Sequence, residues 1–258
     1  MHEQLLVTPE LFVPGADERR TDAGLILPSQ RSNIEVMRYP EILKVHFSEV
    51  NPFMVAADIN SLLDKYHPNW QGQIQEVSRQ RPVAFIQPGF DDTSMAEPGS
   101  EPTIYHPTGK SVIAAGLPWA HDLFTHEINF LVEKLTNDPS TYLGPDDASL
   151  SISEIREGGY ELHFDRSPFT MLLGVTNIKD HKGGELKIYE KRDKNRAYGQ
   201  TFTIKPEKGI LYGLWGEYPH LVTPYFGHTP RVIMAAAYFN KSHPHTSSSN
   251  FNIGVGVL

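Results

Sequence analysis

The chain has 258 residues, of which 20 are glycine, 20 are proline and none is cysteine. The lack of cysteine excludes a disulfide scaffold, a zinc site built on thiolates, an iron–sulfur centre and a thiol nucleophile. The formal net charge of −8 disfavours binding to nucleic acid or to an anionic membrane. No apolar run approaches the ~20 residues of a membrane span. The first residues lack a signal-peptide pattern, and we therefore expect a cytoplasmic protein.

The N-terminal part of the chain predicts a helical or mixed supporting region. Residues 1–30 are polar and rich in Pro and Gly, and we expect them to form a tail or a strap over the surface. One or two short strands are predicted around Pro40. Asn51-Pro52 predicts the start of a helix that ends near His67, because Asn is a favourable N-cap and Pro fits the first helical position.

Three further elements are predicted before residue 150. Residues 82–87 form a short apolar segment that is typical of a strand. Residues 88–110 are rich in Gly, Pro, Ser and Asp, and they predict a long loop that is either a functional lid or an irregularly packed region. Residues 119–136 predict a second helix, with Phe124, Ile128, Leu131 and Leu135 on one face.

After Ser149 the pattern changes to short β-like segments separated by turn residues. The eight predicted strands are 151–156, 160–165, 170–178, 185–189, 201–204, 209–218, 221–225 and 231–240. Such a succession predicts a sandwich or a barrel. With no internal repeat, we interpret residues 1–258 as one domain, in which a tail (1–30) and a support region (31–148) precede a β core (149–240) and a C-terminal tail (241–258).

The chemistry is concentrated in the segment Glu161-Leu-His-Phe-Asp165. Residues i and i+2 of a strand face the same side, so His163 and Asp165 project together. His220 is the candidate for a third ligand, because two histidines and one carboxylate form the facial triad of non-haem Fe(II) oxygenases. A His-x-Asp pair alone is common by chance. Its order and spacing relative to His220, and to Arg231 at the start of an apolar strand, strengthen the prediction.

Residues 150–240 resemble the Fe(II)/2-oxoglutarate-dependent dioxygenases, especially the prolyl-hydroxylase-like branch and its natural-product hydroxylase and halogenase relatives. The matching motifs, in chain order, are HFD (163–165), GGEL (183–186), GILY (209–212), His220, VTP (222–224), Gly227 and Pro230-Arg231. The resemblance implies a mainly β fold with flanking helices, the double-stranded β-helix or jelly roll. It also implies that His163, Asp165 and His220 bind Fe(II), and that Arg231 binds the C5 carboxylate of the cosubstrate 2-oxoglutarate. Dioxygen is the implied oxidant.

The chain departs from the family pattern beside the arginine. Ile233 stands where many relatives carry Ser or Thr, so the hydroxyl that supports Arg231 is left open. The candidate hydroxyl donors at the cosubstrate site are Tyr160, Thr170 and Tyr212. Asp165 is retained where related halogenases carry Gly or Ala. Its presence favours hydroxylation, or another oxidation such as desaturation or ring closure, over halogenation.

Substrate contacts are predicted from position alone. Arg166 directly follows Asp165, and Trp215 lies in the segment before His220, so both are candidates to line the pocket mouth. Arg166 would suit a substrate that carries a carboxylate. A salt bridge that orders the turn explains Arg166 equally well.

The sequence thus predicts an enzyme, a 2-oxoglutarate-dependent dioxygenase that hydroxylates an unactivated C–H bond and releases succinate and CO2. The expected substrate is a small molecule, such as an amino acid or a natural-product intermediate, with no nucleic-acid or membrane partner and the oligomeric state left open. Three alternatives stand beside it. They are a peptidyl or prolyl hydroxylase of the same family, a cupin-like metalloenzyme that does not use 2-oxoglutarate, and a non-catalytic jelly-roll binding module.

Overall fold

A computed structural model of the chain describes residues 39–79, 108–178, 181–190 and 200–245, together with the short strands at 4–6, 85–86 and 104–105. Most of the predicted tail 1–30, most of the predicted loop 88–110 and the last thirteen residues of the C-terminal tail, 246–258, lie outside the described residues.

The described part of the chain is mainly β. Its strands are β1 (Gln4–Leu6), β2 (His46–Asn51), β3 (Met54–Asp58), β4 (Phe85–Ile86), β5 (Ile104–Tyr105), β6 (Tyr142–Leu143), β7 (Leu150–His163), β8 (Phe169–Gly174), β9 (Leu186–Tyr189), β10 (Thr201–Ile204), β11 (Ile210–Trp215) and β12 (His220–Phe239). Its helices are α1 (Asn60–Tyr66), α2 (Trp70–Val77), α3 (Lys110–Gly116), α4 (Pro118–Thr125) and α5 (Glu127–Thr136), and 3-10 turns lie at Pro40–Lys44 and Asp147–Ser149. None of the helices in the described ranges is both long and apolar enough to cross a membrane.

One antiparallel sheet contains ten of the strands in the described ranges. Its order is β1-β2-β3-β11-β8-β12-β9-β10, and β6 and β7 also pair with β12. The long strand β12 belongs to two layers, because its residues 220–222 pair with β9 whereas residues 233–238 pair with β8. β7 accompanies β12 in both parts. The sheet therefore curls back on itself, which confirms the predicted jelly-roll class.

Two apolar clusters lie on opposite faces of the curled sheet. The larger cluster packs the helices, including the fully buried Trp70 and Phe124, against alternate residues of β8 such as Met171 and Leu173. The smaller cluster includes Tyr212 and Leu214 of β11, and Leu172 of β8 packs against it. Because side chains alternate along a strand, Thr170 shares the face of Leu172. The face of β8 that lies away from the helices therefore carries the hydroxyl group of Thr170, which is considered below.

The helix predicted to start at Asn51-Pro52 is wrong at its beginning. Asn51 ends β2, and its Oδ1 accepts the backbone N–H of Phe53 at 2.9 Å, which closes the turn into β3. The helix itself begins at Asn60, where Asp58 Oδ1 accepts the backbone N–H, and it ends near His67 as predicted. Asn forms such side-chain turns as readily as it caps helices, and the local sequence does not separate the two.

Other predicted boundaries also change. The predicted helix 119–136 is two helices, α4 and α5, that meet at His126, and the helices α2 and α3 were not predicted. The first two predicted strands of the β core merge into β7, and the last two merge into β12. Register shifts in the β7–β12 pairing, the largest between Phe226 and Arg231, absorb turn residues without ending the strands.

Candidate metal centre

Two histidines meet because their strands place them directly opposite each other. His163 is the last residue of β7 and His220 is the first residue of β12, and the two are partners in the antiparallel register. Their ring centroids are 4.3 Å apart. Neighbouring strands thus bring together two imidazoles that are far apart in the sequence.

Asp165 completes the group from the turn that follows β7. Its Oδ1 lies 3.7 Å from His163 Nε2 and 3.6 Å from His220 Nε2. The ligand atoms of all three residues lie within 4.8 Å of one another. Two atoms that bind one ion through bonds of about 2.1 Å are at most ~4.2 Å apart, so both nitrogen–oxygen distances fit a shared ion.

The tautomer of His220 suits a metal ligand. His220 is only 5% exposed, and its Nδ1 lies 3.0 Å from the backbone carbonyl oxygen of Tyr218. A carbonyl oxygen only accepts hydrogen bonds, so Nδ1 carries a proton. Nε2, which lies on the side of Asp165, is the ring nitrogen that is left to bind an ion. Such a bond from the second ring nitrogen orients a metal-binding imidazole and makes it a better donor to the ion.

The second oxygen of Asp165 has a partner of its own. The Thr170 hydroxyl donates to Asp165 Oδ2 at 2.5 Å, and the Ser167 hydroxyl lies 2.9 Å from the Thr170 hydroxyl. Thr170 was predicted as a hydroxyl donor at the cosubstrate site, and the structure places it against the carboxylate of the triad. Ser167 was not predicted. It lies in the turn after β7, and no periodic pattern in the sequence identifies it.

Arg231 lies inside the sheet, with 3% of its surface exposed. Its Nε donates to the carbonyl oxygen of Gly184 at 3.0 Å. Burial raises the pKa of the neighbouring Tyr225 hydroxyl, and the positive charge of Arg231 acts in the opposite direction. The guanidinium is therefore held by the backbone of the GGEL turn in a region with little access to water.

The two glycines of the GGEL motif allow this close packing. Gly183 has a φ of +76°, and a β-carbon there would lie 1.7 Å from the carbonyl oxygen of Pro224. Only glycine fits such a conformation and such a contact. The turn thus lies directly against β12. Its contact is with Pro224, which lies between His220 and Arg231 in the sequence.

Hydrogen bonds between Glu185 and Thr223 connect the same turn to β12. The backbone N–H of Glu185 donates to Thr223 Oγ1 at 3.0 Å, and the Thr223 hydroxyl donates to the Glu185 carboxylate. Burial alone would raise the pKa of Glu185, but the Thr223 hydroxyl, with further help from the backbone and Lys205, lowers it below its usual value. Both residues belong to matching motifs, although neither was predicted as a site residue.

The remaining predicted site residues lie at different distances from the triad. The Tyr160 ring is 6.1 Å from the His163 ring, and its hydroxyl is 3.4 Å from Ser153 Oγ. The Tyr212 hydroxyl accepts the backbone N–H of Glu207 at 3.0 Å, which directs it to the β10–β11 connection.

The two residues predicted to contact the substrate are positioned as follows. Trp215 packs edge-on against Phe169, with 5.1 Å between the ring centroids. Arg166 is exposed and directly follows Asp165.

No protein-family model and no curated protein matches the sequence. Solved structures do match, as three examples show. An oxidoreductase of the 2OG-Fe(II) oxygenase family from Burkholderia pseudomallei has 10% identity and a TM-score of 0.52, over 75% of this chain and 89% of that one. SnoN, an α-ketoglutarate-dependent epimerase of nogalamycin biosynthesis, has 14% identity and a TM-score of 0.53, over 72% and 77%. AviO1 from Streptomyces viridochromogenes Tue57 has 12% identity and a TM-score of 0.50, over 76% and 93%.

These likenesses confirm the predicted fold. The chain shares its jelly-roll fold with a structure of the 2OG-Fe(II) oxygenase family and with that of an α-ketoglutarate-dependent epimerase. The resemblance stated from the sequence is thus confirmed at the level of the fold.

Proposed function

We propose that the chain is an Fe(II)- and 2-oxoglutarate-dependent oxygenase that hydroxylates an unactivated C–H bond of a small molecule and releases succinate and CO2. The observation that carries the proposal is the convergence of His163, Asp165 and His220, whose ligand atoms lie within 4.8 Å of one another on a jelly roll. Two neutral imidazoles and one carboxylate are the ligand set of non-haem Fe(II) oxygenases.

The three side chains would hold Fe(II) from one side. Each offers one donor atom, so the rest of the coordination sphere is left for a chelating cosubstrate and dioxygen. When bound, the iron and 2-oxoglutarate supply the oxidising chemistry. The protein fixes the geometry: the Tyr218 carbonyl orients His220, and the Thr170 hydroxyl holds the Asp165 carboxylate.

Arg231 would bind the distal carboxylate of 2-oxoglutarate. A guanidinium offers two parallel N–H donors to a carboxylate, and this pairing is strongest where water is excluded. Arg231 is buried, and its bond from Nε to Gly184 orients the guanidinium plane. Gly184 in turn donates its backbone N–H to the carbonyl oxygen of Thr223, three residues after His220, so the guanidinium is directed toward the part of β12 that carries His220. One cosubstrate would then contact both the metal and the arginine.

The proposed outcome of the reaction rests on Asp165. A triad that keeps its carboxylate has no vacant protein position for a halide, so hydroxylation, desaturation or ring closure is favoured over halogenation. The fold itself does not decide among outcomes, since SnoN, with a similar fold, is an epimerase. A small substrate such as an amino acid or a natural-product intermediate remains our proposal, with a peptidyl or prolyl substrate as the alternative within the family.

Succinate formation tests the proposal. The protein is incubated with Fe(II), 2-oxoglutarate and dioxygen, alone and with panels of amino acids, proline-containing peptides and natural-product fragments. We expect succinate that depends on both Fe(II) and 2-oxoglutarate, and that increases with one panel. A cupin-like enzyme would turn over a substrate without 2-oxoglutarate, and a binding module would give no succinate under any condition. Either result would contradict the proposal.

A further inference from the structure

The two oxygens of the Asp165 carboxylate have different surroundings. Oδ1 faces both imidazoles, at 3.7 Å from His163 Nε2 and 3.6 Å from His220 Nε2. Oδ2 accepts the hydrogen bond from Thr170 at 2.5 Å. The carboxylate thus presents one oxygen to the ion-binding position and has the other engaged by a hydroxyl group.

The direction of the hydroxyl bonds follows from their chemistry. A carboxylate only accepts, so the single Thr170 proton is donated to Asp165 Oδ2. The Ser167 hydroxyl, 2.9 Å from Thr170 Oγ1, must then be the donor in that contact. Ser167 and Thr170 are 3% and 7% exposed, so bulk water has little access to replace either bond. Hydrogen bonds to a charged acceptor in such surroundings are among the stronger ones.

Both hydroxyls are attached to rigid parts of the fold. Thr170 lies in β8, where it pairs with Leu214 of β11 on one side and with Ala237 of β12 on the other. The turn that carries Ser167 packs directly on Gly216, where a β-carbon would lie 1.9 Å from the Ser167 carbonyl oxygen. The position of the donor is therefore fixed by the sheet and not by the flexible turn alone.

We propose that Thr170, supported by Ser167, is a positioning residue that restricts Asp165 to binding the metal through Oδ1 alone. The inference rests on the proposed function. A carboxylate that binds through both oxygens occupies two positions on the ion, whereas binding through one oxygen keeps a position open. Two histidines and a carboxylate bound through both oxygens would leave only two octahedral positions, which a chelating 2-oxo acid fills. Thr170 thereby preserves the further position that is left for dioxygen. The hydroxyl acts on the metal carboxylate, and not on Arg231 as the sequence suggested.

Binding of Co(II), a redox-stable replacement for Fe(II), tests the inference without catalysis. The variants are Thr170→Val, which keeps the shape but removes the hydroxyl, and Thr170→Ser, which keeps the hydroxyl. Calorimetry gives the Kd for Co(II). At saturating Co(II), it then gives the Kd for 2-oxoglutarate, which takes two positions. With 2-oxoglutarate also saturating, it gives the Kd for azide, which takes the one position that remains. We expect Thr170→Val to weaken Co(II) binding about tenfold, the loss typical of a missing outer-shell partner.

The comparison of the two anions separates positioning from a general structural effect. We expect Thr170→Val to weaken azide binding to the 2-oxoglutarate complex about tenfold and to leave 2-oxoglutarate binding unchanged, whereas Thr170→Ser behaves as the unmodified protein. Unchanged azide binding in Thr170→Val, equal weakening of both anions, or an equal loss in Thr170→Ser would each overturn the inference.

Two further outcomes of these binding experiments also bear on the inference. If Thr170→Val does not fold, Ser167→Ala carries the test. We expect it to weaken azide binding to the 2-oxoglutarate complex about threefold and to leave 2-oxoglutarate binding unchanged. Unchanged azide binding in that variant would overturn the inference. Failure of the unmodified protein to bind Co(II), or of its Co(II) form to bind 2-oxoglutarate, would instead contradict the proposed function, and the inference with it.

Discussion

Glu185 and Thr223 are hydrogen-bonded to each other in both directions. The Glu185 backbone N–H donates to the Thr223 hydroxyl oxygen, and the Thr223 hydroxyl proton is donated to the Glu185 carboxylate. This pair joins the start of β9 to β12 at a point between His220 and Arg231. It therefore links the turn that holds Arg231 to the strand that carries the metal ligand.

Thr223→Val is expected to destabilise the protein by about 1–2 kcal/mol, since it removes both bonds and leaves the Glu185 N–H without its acceptor. Part of this stability depends on pH. The lowered pKa of Glu185 stabilises the fold above the usual glutamate pKa, and this contribution is lost as pH falls through the lowered value. The free energies of unfolding of Thr223→Val and of the unmodified protein, measured in urea, should differ more at pH 7 than at pH 3. Thr201→Val, at an exposed position of β10, is the control and should change little.

Asp165→Ala should remove one of three metal ligands. We expect Fe(II) affinity to fall by more than about 100-fold, beyond the loss typical of an outer-shell partner, and succinate formation to disappear. Anaerobic Fe(II) titration and the succinate assay measure the two effects. The exposed Glu49→Ala is a matched loss of a carboxylate away from the triad, and it should behave as the unmodified protein. Full activity in Asp165→Ala would remove Asp165 from the ligand set.

Arg231→Lys keeps the charge but loses the planar pair of donors. We expect the KM for 2-oxoglutarate to rise at least about 30-fold, which corresponds to about 2 kcal/mol, the low end for loss of a buried charged partner. The kcat should fall less, because the metal ligands are unchanged. Arg156→Lys serves as control, since Arg156 is exposed and pairs with Glu154. An unchanged KM in Arg231→Lys would place the cosubstrate carboxylate elsewhere.

Glu133 on α5, which is not part of the metal triad, makes the stability of the protein depend on pH. Burial raises its pKa to about 7, while Lys134 and the hydrogen bond from Asn129 act in the opposite direction. A raised pKa means that the folded protein binds more protons than the unfolded chain, so stability falls as pH rises from about 4.5 to 7.

Glu133→Gln keeps the acceptor for Asn129 and removes the charge. We expect it to stabilise the protein by about 1–2 kcal/mol at pH 8, a value reduced from the full shift because the side chain is partly exposed. The gain should vanish below about pH 5. Urea unfolding across this range measures it, with Glu49→Gln as the exposed control. A gain that is independent of pH would show that the charge of Glu133 is not its source.

The triad could be predicted from the sequence because its geometry depends on simple rules. Strand alternation predicts that His163 and Asp165 lie on one side, and an antiparallel neighbour supplies His220. β7 ends at His163, but the turn that follows keeps Asp165 beside it. The partners of these residues depend instead on how a turn folds. The contact between Thr170 and Asp165 requires the turn after β7 to bring two residues of different elements together. The periodicity of the sequence does not predict how this turn folds.

The errors at element ends have a similar origin. Asn51 carries the chemistry of both a helix cap and a tight turn, and the tertiary pairing of β2 with β3 selects the turn. The predicted break between the last two strands of the core contains Gly227 and Pro230. It lies within a register shift of β12, between the pairs that Phe226 and Arg231 form with β7, and β12 continues through it. Gly227 and Pro230 predict an irregularity in the backbone, but they do not predict whether the strand continues through it.

The contact between Arg231 and Gly184 would fix the length of acid that the proposed site accepts. Arg231 Nε donates to the Gly184 carbonyl oxygen. The Gly184 N–H donates to the carbonyl oxygen of Thr223, three residues after His220 on β12. These two bonds leave the guanidinium little freedom to move relative to His220. A 2-oxo diacid with one carbon fewer or one carbon more would fail to contact both ends together. Oxaloacetate and 2-oxoadipate should therefore be poor replacements for the five-carbon cosubstrate.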